Sequence, residues 1–238
     1  MAPRETTVAA SVVTDMLQYL ADRGVPAAQA HFEARIKPAS LASADARIPG
    51  SQVERLWRFA AEATDDPLVG LHMGADYNPG ALDILGYVIL SCGTVGELLE
   101  KFVRFASILN DGLRIELVRE KSVAYLRCHF VEDADNYLLR TPAQAIDTIW
   151  SGVARELARL PVMPVTAVEV WFCHTVAAHQ IAEYRRVIGA PVKFNVEDDR
   201  FILQLSDLEQ PLRSANAALL EVFERHADTA LRELQQHD

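Results

Sequence analysis

Two Cys-His dipeptides, Cys128-His129 and Cys173-His174, are the residues whose types most directly suggest chemistry. Zinc sites in proteins are commonly built from cysteine and histidine side chains in groups of four. Each dipeptide lies in a segment of alternating apolar residues that predicts a β-strand, and neighbouring side chains on a strand point to opposite faces. At most one residue of each pair can therefore face a common site. We expect the cysteines to pack as small core residues, and we expect no metal site.

The chain contains none of the short patterns that mark common catalytic sites, such as GxSxG, HExxH, the P-loop or GxGxxG. Two acidic runs, residues 132–135 and 197–199, are expected to be solvated turns. The element order is also faintly similar to haem-nitric-oxide sensors, but their YxSxR clamp does not occur, and a lone His72 or His129 is weak evidence for haem. We therefore expect no catalytic residue and no cofactor, and we predict that the chain is not an enzyme.

A third group of residues combines aromatic surface with hydrogen-bonding tips, a mixture that small-molecule pockets require. Its members are Tyr125, Arg127, His129, Trp150, Trp171 and His174. We predict that they line a ligand pocket between a sheet and the helices. A partly buried guanidinium needs a carboxylate partner, which for Arg127 could be Glu169 or a carboxylate of the ligand. The alternative for Trp150 and Trp171 is plain core between helix and sheet.

Residues 1–110 are predicted to form a mainly helical half of the domain. Apolar residues recur there three and four positions apart, which is the period of an amphipathic helix. Ser51 with Glu54, and Thr94 with Glu97, have the spacing of a capping box, in which two side chains satisfy backbone N–H groups at a helix start. We therefore predict that one helix begins at Ser51 and another at Thr94.

Residues 111–212 change to the period of two that is typical of half-buried strands. Strands are predicted at 113–117, 124–130, 168–174, 192–196 and 201–205. The first two and the last two are each expected to form a hairpin, the second around residues 197–200. With interleaved helices, the pattern predicts an α+β fold: a helical N-terminal half followed by a small mixed or antiparallel sheet of about five strands.

Residues 213–238 predict a long C-terminal helix with a narrow apolar seam. The seam consists of Leu220, Phe223, Ala227, Ala230 and Leu234. We interpret it as a dimer contact or as a lever into a following domain. The alternative is that the seam packs on its own domain.

The composition limits the classes of function that the chain can have. The net charge of −10 and the lack of a basic cluster argue against DNA binding by this chain alone, because lysine and arginine contacts with phosphates dominate that affinity. No run approaches the roughly 18 to 20 apolar residues that span a bilayer, so no membrane segment is predicted. Cys92, Cys128 and Cys173 are an odd number without a close pair, which favours a reduced, cytoplasmic protein.

Two blocks of sequence point to a family. In Tyr184–Asn216, a tyrosine on a short helix precedes GxPVxF at Gly189–Phe194, alternating apolar residues and the string LxxPLxxAN at Leu208–Asn216. The second block is GALDILGYVILSCGTVGELLEKFVRF at Gly80–Phe105. In their order and separation, these blocks resemble the sensor half of one large branch of the AraC-type transcriptional regulators. The resemblance covers most of the chain, from about residue 5 to residue 236.

The resemblance implies a regulatory domain that binds a small-molecule effector, forms a homodimer and contacts DNA only through a C-terminal half that these 238 residues do not contain. We expect residues 1–238 to form a single effector-binding domain whose packing or dimer state changes with the ligand. The effector class stays open among sugars, amino acids and fatty or aromatic acids. Two other interpretations stay open: a structural dimerisation module without a ligand, and an enzyme of unknown class.

Overall fold

Helices dominate the first half of the fold, and a five-stranded sheet organises the second. The computed structural model describes residues 3–43, 45–77 and 82–236. The helices are α1 Ala10–Asp22, α2 Ala27–Ala34, α3 Gly50–Ala63, α4 Val69–Asp76, α5 Asp83–Ser91, α6 Val95–Leu109, α7 Pro142–Arg159, α8 Ile181–Ile188 and α9 Ala217–Gln236. The strands are β1 Thr7–Ala9, β2 Arg47–Pro49, β3 Leu113–Arg119, β4 Val123–Phe130, β5 Glu169–Phe172, β6 Val192–Phe194 and β7 Asp199–Gln204. This is the predicted α+β fold.

The two predicted helix starts have different outcomes. Thr94 caps α6 as its spacing predicts, because its side chain accepts a hydrogen bond from the Glu97 backbone N–H at 3.2 Å. The capping box at Ser51 is wrong. Helix α3 begins at Gly50, and the Ser51 backbone N–H donates to the Glu5 carboxylate at 2.8 Å. The Glu5 carboxylate, from a distant part of the chain, therefore accepts the hydrogen bond that the capping box assigned to Glu54.

A short antiparallel ribbon, which the sequence pattern did not predict, precedes the helices. Strands β1 and β2 pair with Val8 opposite Ile48. Asp111 is 1% exposed and anchors β1, because its carboxylate accepts hydrogen bonds from the backbone N–H and the hydroxyl of Thr7, both at 2.7 Å. Val8 is therefore a strand residue, and α1 begins at Ala10.

Two glycines let helices α4 and α7 pack at very short range. Gly70 and Gly74 lie about one turn apart on α4. A Cβ atom at Gly70 would lie 2.2 Å from the backbone oxygen of Gln144, and one at Gly74 would lie 2.2 Å from that of Thr148. Side chains do not approach a backbone so closely, so this packing requires a residue without a Cβ at both positions.

The five-stranded sheet has the order β3-β4-β7-β5-β6. The hairpin of β3 and β4 is confirmed, with Ile115 opposite Cys128. The second predicted hairpin is wrong, because β5 lies between its strands and pairs parallel with β6 and antiparallel with β7. Asp199 and Arg200, which the pattern assigns to the hairpin turn, lie in β7. Strands that follow one another usually pair, and local alternation does not reveal an inserted strand.

The sheet has one apolar face and one polar face. Leu126, Phe201 and Val170 lie opposite one another on adjacent strands, and each is 0% exposed. Trp150 of α7 packs on this inner face, with its ring centroid 5.8 Å from that of Phe201. Alternate residues on the strands, Arg127 among them, point to the outer face, away from α7.

The C-terminal helix α9 packs on α5 and α6 of the same chain. Leu220 and Ala227 are buried, and the Phe223 ring lies 5.2 Å from the ring of Tyr87 on α5. Gly80, the first residue of the second block of the family resemblance, lies outside the described residues. Within the described ranges, no helix is both long and apolar enough to cross a membrane.

Candidate functional site

The structure separates the six residues that were predicted to line one pocket. Four of them share the outer face of the sheet, Trp150 lies on the inner face, and His174 follows β5. The four on the outer face are Tyr125, Arg127, His129 and Trp171. The expected location between the sheet and the helices is wrong for these four, because the period of two along β4 and β5 turns them away from α7.

Arg127 finds its carboxylate partner within the chain, on the neighbouring strand. Its guanidinium donates to Glu116 at 2.8 Å, and this hydrogen bond is the main cause that lowers the pKa of Glu116. The Nε2 atom of His129 lies 3.5 Å from the same carboxylate. Glu169, the partner considered from the sequence, instead accepts a hydrogen bond from the indole N–H of Trp171 at 2.5 Å.

Cationic and aromatic side chains stack across the outer face of the sheet. The Arg200 guanidinium lies 4.8 Å from the centroid of the Tyr125 ring and 4.9 Å from that of the Trp171 ring. The Lys193 ammonium, on β6 at the other side of β5, lies 5.2 Å from the centroid of the Trp171 ring. All three distances are within the range of cation–π attraction. The charges of this face therefore have acidic or aromatic partners within the chain.

His174 belongs to a buried polar cluster between α7 and α8. Its Nε2 atom lies 2.9 Å from Asp147, and the Tyr184 hydroxyl donates to the same carboxylate at 2.7 Å. Burial disfavours protonation of His174, but the hydrogen bond and charge of Asp147 outweigh burial and raise the pKa of the imidazole. Burial also raises the pKa of the Asp147 carboxyl. These polar groups satisfy one another, which is what buried polar groups in a stable packing contact do.

The Cys-His dipeptides do not converge on a common point. Cys128 is buried among the core residues, while His129 lies on the outer face beside Glu116. The expected core position is wrong for Cys173, which is exposed, and whose backbone N–H donates to the Asp199 carboxylate at 2.8 Å. Across residues 3–43, 45–77 and 82–236, no group of three or more histidine, cysteine or acidic side chains is arranged to hold a metal ion.

A cavity in the helical half offers a better site for a ligand than the sheet does. It has a volume of about 160 Å³ and lies among α1, α3, α4, α5, α6 and α7. Most of its wall is apolar. The lining includes Met16, Trp57, Met73, Ile89, Leu99 and Phe102. A largely apolar wall with a few polar groups is typical of small-molecule pockets.

The polar groups at the cavity wall are largely bonded to one another. The Tyr77 hydroxyl is hydrogen-bonded to Glu156, which is only 6% exposed. Burial, followed by the charge of Glu156, raises the pKa of Tyr77. Asn110 donates to the Tyr137 hydroxyl at 3.2 Å, and the Thr148 hydroxyl donates to a backbone oxygen of α4 at 2.9 Å. These hydrogen bonds occupy part of the capacity of each hydroxyl, which can both donate and accept.

Helices α5 and α6 line the cavity and also contact the C-terminal helix α9. Ile89 of α5 and Phe102 of α6 line the cavity. On α6, Lys101 and Arg104 each contact the Glu224 carboxylate of α9 at 2.6 Å. A change in the position of α5 or α6 would therefore reach α9 through direct contacts.

The sequence patterns did not predict this cavity. The lining residues have the three-four spacing of ordinary amphipathic helices, and that spacing is the same for a cavity wall and for a filled core. Gly152 of α7 also lines the cavity, and a Cβ atom there would lie 3.5 Å from the Tyr77 ring.

These features define an α+β domain in which a helical half with an apolar cavity packs on a five-stranded sheet. A comparison with protein families matches residues 12–212 to the N-terminal arabinose-binding domain of AraC transcription regulators. The match covers most of the chain, which therefore belongs to the AraC-type transcription regulators and carries their N-terminal ligand-binding type of domain.

Individual relatives agree with this assignment. The ornithine utilization regulator of Pseudomonas aeruginosa is 27% identical over 220 residues, which are 92% of this chain and 63% of that protein. An HTH-type transcriptional regulator of Mycobacterium tuberculosis is 30% identical over 97 residues, which are 40% of this chain and 28% of that protein. This chain thus spans less than two-thirds of the length of either relative.

A solved structure shares the fold. The transcriptional regulator CdpR from Pseudomonas aeruginosa matches with a TM-score of 0.63 and 18% sequence identity, over 94% of this chain and 70% of that one. The relatives found by sequence are transcriptional regulators and not enzymes. The chain is accordingly a ligand-sensing type of regulatory domain.

Proposed function

We propose that the chain is a single regulatory domain that binds a small-molecule effector in the helical cavity and transmits the binding event through α9. The observation that carries this proposal is that α5 and α6 both wall the cavity and support α9. One core of buried apolar residues also runs through the helical half, the sheet and α9, which supports a single domain. A ligand that prefers one arrangement of α5 and α6 would shift the population of α9 positions.

The relatives supply the proposed partners. Because they are transcription regulators that are longer than this chain, we propose that a DNA-binding half completes the whole protein and that α9 leads toward it. The net charge of −10 supports the proposal that the present residues do not bind DNA themselves. A regulator of transcription works beside the chromosome, so we also propose a cytoplasmic location.

The proposed homodimer needs a surface other than the one deduced from the helical seam. Leu220 and Ala227 are buried within the chain, and Phe223 and Leu234 are partly buried. On the other side of α9, Leu219 is 46% exposed and is available for contact with a second copy of the chain. We propose that a dimer uses this outward side, and analytical ultracentrifugation of a Leu219→Glu variant tests it: an unchanged dimer mass would contradict the proposal.

A thermal-shift screen of the chain against a metabolite library tests the sensor function, because a ligand that binds only the folded state raises Tm by mass action. Ornithine belongs in the library, since it appears in the name of one relative. Two variants at one position then locate the site. Gly152→Leu places a side chain in the cavity, while Gly152→Ala adds one carbon whose nearest neighbour, on the Tyr77 ring, lies at an ordinary 3.5 Å.

The expected result is a metabolite whose thermal shift persists in Gly152→Ala and disappears in Gly152→Leu. Hydrogen exchange of the α9 amides should change when that metabolite binds. A library without any stabilising compound would contradict ligand sensing and would favour a structural dimerisation module. A thermal shift that survives Gly152→Leu would place the effector outside the cavity.

A further inference from the structure

We infer that the effector is a predominantly apolar molecule of about one ring, either neutral or carrying an amine, and that it is neither a sugar nor a carboxylic acid. This inference rests on the proposed sensor function and on the cavity as its site. It narrows the classes that the sequence left open, and it departs from the sugar in the family's descriptive name. Three properties of the cavity carry it: its size, its polarity and the sign of its charged groups.

The size of the cavity sets an upper limit on a ligand that binds without displacing helices. The volume is about 160 Å³. A protein cavity of about 150 Å³ lined by leucine, isoleucine and phenylalanine accepts one benzene molecule. A single aromatic ring or a short branched alkyl group therefore fits, whereas a long acyl chain would require α5 or α6 to move.

The polarity of the wall disfavours a sugar. A monosaccharide carries a hydroxyl on almost every carbon, and each buried hydroxyl without a partner costs binding free energy. Most of the wall is apolar, as at Leu99 and Phe102, and the hydroxyls of Tyr77, Tyr137 and Thr148 are already hydrogen-bonded. Some described side-chain atoms are buried without a hydrogen-bond partner, but none of them belongs to a residue of this wall. The wall thus offers apolar contact and few free donors.

The charged groups of the wall disfavour an anion. Among the described lining residues the charged side chains are those of Asp15 and Glu156, and no lysine or arginine is among them. The carboxylate of Glu156 does have a cation nearby, since Arg159 donates to it at 3.3 Å, but the Arg159 side chain is half exposed. A carboxylate in the cavity would lie beside these two acidic side chains, and the described lining residues offer it no basic side chain, since the Arg155 guanidinium lies behind the wall, 5.1 Å from the centroid of the Tyr77 ring. An amine would lie beside the same two carboxylates and be attracted by them.

Four small probes, tested on the unmodified chain, separate these classes of effector. They are benzyl alcohol, benzylamine, benzoate and L-arabinose. Isothermal titration calorimetry in one buffer measures each Kd. We expect benzyl alcohol or benzylamine to bind at least about tenfold more tightly than benzoate, and we expect L-arabinose to show no heat of binding.

Two variants tie the selectivity to the cavity. Gly152→Leu should abolish binding of the aromatic probes, and Gly152→Ala is its matched control. Glu156→Gln keeps the shape of the side chain and removes its charge, so the preference for benzylamine over benzoate should decrease. Circular dichroism and Tm of each variant establish that it is folded. If Glu156→Gln does not fold, the parent's ranking of the four probes still decides the inference.

Several outcomes would overturn the inference while leaving the sensor function intact. Cavity binding of L-arabinose, or benzoate affinity equal to that of the other two aromatic probes, would show that the wall does not select as argued. A library metabolite that binds in the cavity while every aromatic probe fails would contradict the assigned size and polarity. Failure of both the probes and the whole metabolite library would instead contradict the proposed function itself.

Discussion

The hydroxyl of Tyr184 on α8 donates a 2.7 Å hydrogen bond to the buried carboxylate of Asp147 on α7. Tyr184 is the tyrosine that opens the Tyr184–Asn216 block of the family resemblance, and this bond gives that residue a physical role. His174 binds the other oxygen of the same carboxylate, so the interaction joins α7, α8 and the end of β5. Hydrogen bonds to a charged group contribute more to stability than neutral ones.

Tyr184→Phe should destabilise the chain by about 1–3 kcal/mol, because it removes the hydroxyl and leaves Asp147 short of a partner in a buried site. Chemical denaturation measures the free energy of unfolding. Tyr87→Phe is the matched control, since Tyr87 is 53% exposed, and its effect should stay within about 0.5 kcal/mol. Equal effects of the two substitutions would show that the buried hydrogen bond adds nothing.

Stability should decrease as the pH rises above neutrality, partly because of His72. Its Nδ1 lies 2.6 Å from Asp66 and its Nε2 lies 2.9 Å from Glu183. Burial opposes protonation, but these two hydrogen bonds outweigh burial and raise the pKa of His72 above 6.5. A raised histidine pKa contributes stability below the unfolded value of 6.5, and that contribution is lost as the pH rises through the folded value.

Thermal unfolding across this pH range of the parent and of His72→Gln tests the prediction. The parent's Tm should fall more steeply above pH 6.5 than the variant's. Part of the slope should persist in the variant, because His174 also has a raised pKa. His226→Gln, at an exposed position of α9, is the matched control for the substitution itself. Parallel curves for the parent and His72→Gln would rule out His72 as a source of the pH dependence.

Gly74→Ala should destabilise the fold by about 1–3 kcal/mol or more, the range for forced overpacking, because the added Cβ would meet the backbone of α7. Gly152→Ala also changes a helical glycine but creates only ordinary contacts. It should be neutral or stabilising by up to about 1 kcal/mol, since alanine favours the helix. Comparable losses for both variants would mean that the effect of Gly74→Ala is not specific to the α4–α7 contact.

Ala227→Leu should weaken the docking of α9 and cost about 1–3 kcal/mol, because Ala227 is 0% exposed where α9 packs on α5 and α6. Ala218→Leu makes the same change at an exposed position of the same helix and should have little effect. Faster hydrogen exchange in α9 of Ala227→Leu would locate the change. Protection equal to that of Ala218→Leu would contradict the packing described for α9.

Arg127→Ala distinguishes the helical cavity from the outer face of the sheet as the ligand site. Arg127 pairs with Glu116 on that outer face, away from the cavity. We expect an effector found in the screen to bind this variant with the parent's Kd, and we expect the fold to persist. A Kd weakened about tenfold or more would place the ligand site at Arg127 on the outer face instead.

Local patterns in the sequence determined much of the fold. The three-four spacing identified the helices, Thr94 and Glu97 predicted the start of α6, and alternation predicted the β3–β4 hairpin. These features depend on neighbours a few positions apart, so a single sequence contains the information. The assignment to the AraC-type regulators also came from residue order and spacing, and the family comparison confirmed it.

The tertiary structure decided the rest, because those features depend on residues that are distant in sequence. Insertion of β5 between β6 and β7 is a long-range pairing, and it fixed Trp171 beside Arg200. Alternation showed that Arg127 faces one side of its strand, but only the position of α7 showed which side of the sheet is the core. The cavity exists because six helices leave space between them, and the periodicity of one helix carries no information about the space between six.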